Sequence, residues 1–135
     1  MGQGSDCRKG DSVLSIVFSL LLTFSLSFSS DHNLDFWWKQ LEGNSRDLKI
    51  SACQKLKDIR NPRSIPYLSR ALQDQDPLVR YQAAMSLGSH LDTRSLEALS
   101  KRFDVETDNY VKSEIRRNIN QLKDYFAKNE AQSNE

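Results

Sequence analysis

Leu48 to Leu72 lies over Val79 to Phe103 when the chain is shifted by 31 positions. Leu48 meets Val79 and Lys49 meets Arg80. Ala52 meets Ala83, Cys53 meets Ala84, and Leu56 meets Leu87. Further on, Arg63 meets Arg94, Ser64 meets Ser95, Ile65 meets Leu96, Leu68 meets Leu99, and Leu72 meets Phe103. After one extra loop residue a third copy begins, in which Val79 meets Val111, Arg80 meets Lys112, Ala83 meets Ile115 and Leu87 meets Ile119. Self-similarity at such a period means stacked supersecondary units that bury their apolar faces on one another and not in a central core.

Each unit divides into two helices. Val79, Ala83 and Leu87 recur every fourth residue, with Ala84 beside them, as one apolar stripe. Leu96, Leu99 and Phe103 follow at spacings of three and four. Asp76 before Pro77 is a start signal, an N-cap acid ahead of a proline at the first helical position. Pro62 follows Asn61 in the same way, and Pro66 falls in a first turn, where a missing N–H is tolerated. No stretch alternates as a strand does. The pattern predicts helices at 32–43, 46–59, 63–73, 77–90, 93–103 and 108–127, and an all-α fold.

These residues resemble the HEAT-repeat family, in particular its short bacterial form, the HEAT-like repeats named after phycobilisome lyases. Asp74-Gln75-Asp76-Pro77-Leu78-Val79-Arg80, then Ala83-Ala84 and Leu87-Gly88, carry the resemblance. Asn61-Pro62-Arg63-Ser64-Ile65-Pro66-Tyr67-Leu68 is similar to the family's inter-helix turn and second helix. The likeness covers about residues 46–120 and implies a short right-handed α-solenoid that binds other proteins. It also implies that Arg80, with Lys49 before it, makes inter-repeat ion pairs with turn acids such as Asp76. Catalysis does not carry over, because only a minority of the family are lyases or other enzymes.

End units of such an array are atypical. The position of Cys53 and Ala84 becomes Arg116, beside Arg117, where a small residue would allow close helix approach. Val111, Ile115, Ile119, Leu122 and Phe126 then run on as one amphipathic helix, read as a C-terminal cap. At the other end, Leu34, Trp37, Trp38 and Leu41 have helical spacing and read as an N-terminal cap. Trp38 is expected to be buried on the first repeat and Trp37 partly exposed, a possible anchor for a partner or a membrane interface. The domain reading is a cap at 31–44, repeats at about 46–73, 77–104 and 108–128, and a flexible tail at 129–135.

The first thirty residues differ in kind. Val13 to Phe28 holds no charge, Gly or Pro, and Arg8 and Lys9 precede it. A basic lead, an apolar run and small residues at Ser27 and Ser29 make a secretory signal, with a mature start near Ser30 or Asp31. Sixteen helical residues span roughly 24 Å against a hydrocarbon core of about 30 Å. A cleaved signal is therefore favoured over an anchor, although Ser12 to Ser30 would just cross a thin bilayer. Export follows in either case, and the expected location is periplasmic or secreted, with membrane attachment only if the signal is kept.

Beyond this leader, Cys53 is the remaining cysteine and reads as a small buried side chain, so no internal disulfide is expected. His32 and His90 are far apart, so no metal set, no cofactor loop and no catalytic constellation is expected. The acids Asp74, Asp76, Asp104, Glu106 and Asp108 fall in the inter-repeat turns, where they are expected mainly to cap helices. Nineteen basic and 18 acidic residues leave a net charge of +1, which gives nucleic-acid binding no support. What repeats is a set of cations. Arg63 and Arg94 are equivalent, as are Arg70 and Lys101, with Arg102 adjoining and Tyr67 between them. On the second helices of such a stack they would form a basic strip for an acidic segment of another protein. An exported, non-catalytic adaptor or scaffold is the function expected. The alternatives are a lyase-like or other enzyme accessory subunit, for which Cys53 would be the nucleophile, and a membrane-tethered scaffold.

Overall fold

A computed structural model describes residues 33–133. The expected leader at 1–30 lies outside the described residues. The chain divides into two units, Met1–Asp35 and Phe36–Glu135, and the repeat array lies in the second.

Among the described residues there are six α-helices and no strand. They are α1 (33–42), α2 (Arg46–Ile59), α3 (Ile65–Ala71), α4 (Pro77–Gly88), α5 (Thr93–Val105) and α6 (Asn109–Ser133). A 3-10 turn, Pro62–Ser64, leads into α3. The first helices α2, α4 and α6 stack in one layer, and the second helices α3 and α5 pack beside each other on them. The fold is thus a short all-α solenoid of helical hairpins. None of these helices is long and apolar enough to cross a membrane.

The caps follow from local chemistry. Asp76 accepts the Leu78 N–H at 2.8 Å, Asp92 accepts that of Arg94 at 2.9 Å, and Asp108 accepts those of Tyr110 and Val111 at 2.9 and 3.0 Å. Each satisfies orphan donors of a helix start. Asn61 does the same for the 3-10 turn through the Arg63 N–H. The expected helix 63–73 begins as this turn because Pro66 has no N–H to reach four residues back. Ile65 donates to the Pro62 carbonyl instead, three residues back.

Other boundaries also move. The α4 helix stops at Gly88, where the Ser89 and His90 N–H groups fold back on Ser86 and Leu87. At the end of α5 the helix runs on to Val105, until Glu106 turns extended. Asp104 therefore sits in the last turn of α5 and caps nothing. Residues 129–133, expected as a flexible tail, continue α6, since no Gly or Pro follows Asp108 to stop it.

The stripes read from the repeat form the core. Ala52, Cys53 and Leu56 of α2, Val79, Ala83, Ala84 and Leu87 of α4, and Val111 and Ile115 of α6 have no exposed surface. Leu48 departs from the pattern at 49 % exposed. Its counterpart Val79 lies on a helix flanked by α2 and α6, whereas α2 opens the layer of first helices. Small residues permit close approach. A Cβ on Gly88 would overlap the Asn118 side chain of α6. Ser86 Oγ lies 2.8 Å from the Cys53 carbonyl, a polar tie between α4 and α2.

Ion pairs close the hairpins. Lys49 of α2 meets Asp74, after α3, at 2.6 Å. One repeat later Arg80 of α4 meets Glu106, after α5, through two contacts of 2.9 Å. Arg80 also donates to the Asp74 and Gln75 carbonyls at 2.9 Å. The expected partner Asp76 is not used, because its carboxylate is engaged at the α4 start. The extra residue of the third copy sets Glu106 where Asp74 stands in the first. Burial disfavours charge on Glu106, but hydrogen bonds from Arg80, the Asp108 backbone and Arg102 outweigh it and hold the carboxyl at about 2.

Candidate protein-binding face

The repeated cations stand on the α3 and α5 layer, and they separate into two groups. Arg63 lies in the 3-10 turn before α3, Tyr67 in the first turn of α3 and Arg70 in its last. The Tyr67 ring stacks on Trp38 of α1, with centroids 4.1 Å apart and planes 10° from parallel. The Arg63 guanidinium is 5.6 Å from the Trp38 ring, and that of Arg70 is 5.6 Å from the Tyr67 ring. Cation–aromatic attraction at this range helps to set the direction of these two long side chains. Arg70 also reaches Glu42 at 3.3 Å.

Trp38, expected to be buried on the first repeat, is half-buried. Its surroundings give the reason. Tyr67 stacks on the ring and the Arg63 guanidinium lies over it, so an aromatic and a cation near solvent stand where apolar core would otherwise close. The indole thus serves two purposes, since it covers the first repeat and carries the cation cluster. Trp37 is half-buried and meets Phe36 edge-on at 4.9 Å, outside this cluster.

The second group lies on α5. Arg94 folds onto its own N-cap, with contacts of 3.0 and 2.8 Å to Asp92. Lys101 meets Glu97 one turn back at 2.7 Å. Arg94 and Lys101 flank a shallow depression of about 280 Å³ between α3 and α5, floored by Ser69, Gln73 and Ala98. The Asp92 carboxyl is lowered, by the Arg94 hydrogen bond first, and Glu97 is lowered by Lys101. Both stay charged at neutral pH. Exposed pairs of this kind contribute little to stability, so their cations remain exchangeable between partners.

Arg102 does not belong to the strip. It donates to Glu106 and to Gln73 at 2.9 Å each, and its side chain is 15 % exposed. It braces the same carboxylate that Arg80 holds. Sequence adjacency to Lys101 suggested otherwise, but adjacent residues on a helix point about 100° apart.

No three His, Cys, Asp or Glu side chains among the described residues are grouped to hold a metal ion. Cys53 is fully buried, and burial, then the Asp74 charge, pushes its thiol up to about 12.

A family model of HEAT repeats matches residues 34–120. No curated protein matches the chain. HEAT repeats generally mediate protein–protein interaction, so the partner class is protein. The matched span covers well over half of the sequence and takes in the helices from α1 into α6, so the chain belongs to the HEAT-repeat family.

Proposed function

We propose that this chain is a non-catalytic adaptor, exported from the cytoplasm, that holds an acidic segment of another protein on its α3–α5 face. The observation that carries the reading is the repetition of exposed cations on adjacent second helices. Arg70, Arg94 and Lys101 have side chains 72, 55 and 74 % exposed. The counter-charges of Arg70 and Lys101, Glu42 and Glu97, are themselves exposed acids that a partner's carboxylate replaces at little cost. Tyr67 and Trp38 give the same face a rigid aromatic edge. With a net charge of +1, the preference for acids comes from this local arrangement and not from the sum.

A fluorescein-labelled peptide of mixed Glu and Ser tests the face. Binding to the full chain should weaken with salt and be lost in the Arg70→Glu, Lys101→Glu double variant, whereas unchanged binding removes the strip. Export rests on the apolar leader Val13 to Phe28 behind Arg8 and Lys9. N-terminal sequencing after cell fractionation separates a start near Asp31 from a retained, membrane-tethered form. A cytosolic chain that begins at its first residues would end the export reading.

A second reading, a lyase-like accessory subunit of the kind known among the bacterial HEAT-like proteins, needs a reactive nucleophile. Cys53 is the thiol available beyond the leader, and its burial weighs against that role.

A further inference from the structure

The internal repeat also shows what should cover the far end of the array. On α3 and its C-cap, Ile65, Leu68 and Leu72 are 3, 0 and 0 % exposed, sealed where α4 and α5 pack against them. Their equivalents one repeat later are Leu96, Leu99 and Phe103. Leu99 is buried, but Leu96 and Phe103 are only half-buried. They open into two depressions along the seam between α5 and α6, of about 450 Å³ beside Phe126 and about 330 Å³ beside Ile119. The turn that sends α4 back as α5 maps onto residues 121–124, and these are helical. α6 therefore runs straight on, and among the described residues no second helix follows it onto this seam.

One substitution gives the seam a chemical preference. Ala84 of α4 is fully buried, and its counterpart on α6 is Arg116, which is exposed. Arg116 has no ion-pair partner among the described residues, and neither has Lys123, seven residues along the same helix. Both line the depression beside Ile119, where Asp104 is the acid present. A helix laid into the seam covers Arg116, which lines it. Covering a guanidinium without a counter-charge is strongly unfavourable, and a carboxylate placed against it converts the penalty into a charge-assisted hydrogen bond.

We infer that the α5–α6 seam takes an amphipathic helix of another protein, apolar along one stripe and carrying carboxylates seven residues apart that meet Arg116 and Lys123. Such a helix stands where the second helix of a third repeat would stand. The charged position also excludes purely apolar helices, so the seam selects its occupant. This surface is separate from the α3–α5 face and does not depend on that face being used.

The probe is a stapled, fluorescein-labelled peptide with the sequence of Thr93–Val105, the helix that fills the equivalent seam one repeat earlier, carrying Arg94→Glu, Lys101→Glu and Arg102→Glu. The full chain should bind it saturably. Arg116→Glu should weaken binding about tenfold or more, and the peptide with Lys at the same three places should recover it. Arg116 is exposed, so this variant keeps its fold and its thermal melt. Phe103→Ser should also weaken binding, while the Arg70→Glu, Lys101→Glu double variant of the chain should leave it unchanged, which separates this site from the α3–α5 face. Absence of saturable binding, or binding indifferent to Arg116→Glu, overturns the inference. So does a dimer of the chain alone in analytical ultracentrifugation that Phe103→Ser dissociates, since a second copy would then be the occupant.

Discussion

Arg80 and Glu106 face each other through two parallel contacts of 2.9 Å, with side chains 9 and 0 % exposed. The two-point geometry joins the first helix of a hairpin to the turn that ends it. Arg102 braces the same carboxylate from α5. Removing Glu106 leaves Arg80 as a buried charge with no counter-ion.

Glu106→Gln should therefore lower stability at pH 7 by about 3 kcal/mol. The folded carboxyl stands at about 2 against an ordinary 4.5. A depressed carboxyl contributes fully above its unfolded value and loses that contribution as pH falls toward its folded one. Denaturant titrations at several pH values should show the gap between native and variant proteins whole above about pH 4.5 and closing toward pH 2. A gap independent of pH would mean that the shape of the side chain matters and its charge does not.

Gly88 meets Asn118 where α4 and α6 come closest. Gly88→Ala should cost about 1–3 kcal/mol through overpacking, in spite of the better helix propensity of Ala. Asn118→Ala in the same chain clears the two nearest atoms and should return part of the loss. Additive effects in this double-mutant cycle would separate the two sites.

Trp38→Ala removes the ring on which Tyr67 stacks and over which Arg63 lies. A loss of about 1–3 kcal/mol is expected, less than for a fully buried indole. A thermal melt identical to that of the native protein would remove α1 as a cap.

Cys53 should resist iodoacetamide at pH 8 in the native protein and react once the chain is unfolded, because the thiol is both covered and pushed up to about 12. Mass spectrometry of the Cys53-containing peptide reads this directly. Rapid native labelling would revive the accessory-enzyme reading.

The hairpin order, the buried stripes and the caps at Asp76 and Asp108 were legible because each depends on residues a few positions apart. Cys53 was legible through Ala84, its small counterpart in the next repeat. Less local features were not. The choice of Glu106 over Asp76 by Arg80 depends on one extra residue between units and on Asp76 being occupied at its own helix start. Aligning Asp74 with Glu106, under the same one-residue offset already needed for Val111, contains the signal. The stacking of Trp38 on Tyr67 joins residues 29 apart in sequence through no repeated pattern. Arg102 was misassigned by adjacency, since its direction depends on the turn of α5. The onward run of α6 past Lys128 reflects the absence of a stop signal, which a search for apolar spacing overlooks.

The turns between repeats are gripped from both sides. Asp74 and Gln75 are held by Lys49 ahead of them and Arg80 behind, and Glu106 by Arg80 and Arg102, with the Lys112 ammonium 3.4 Å from its carbonyl oxygen. The bends inside each hairpin, at 60–61 and 89–92, carry only backbone, capping and short-range side-chain contacts. Under mechanical load the firm points would then fall at the junctions between units. The two helices of a hairpin would then part only once Lys49 lets go of Asp74 or Arg80 of Glu106, since the bend between them adds little hold of its own.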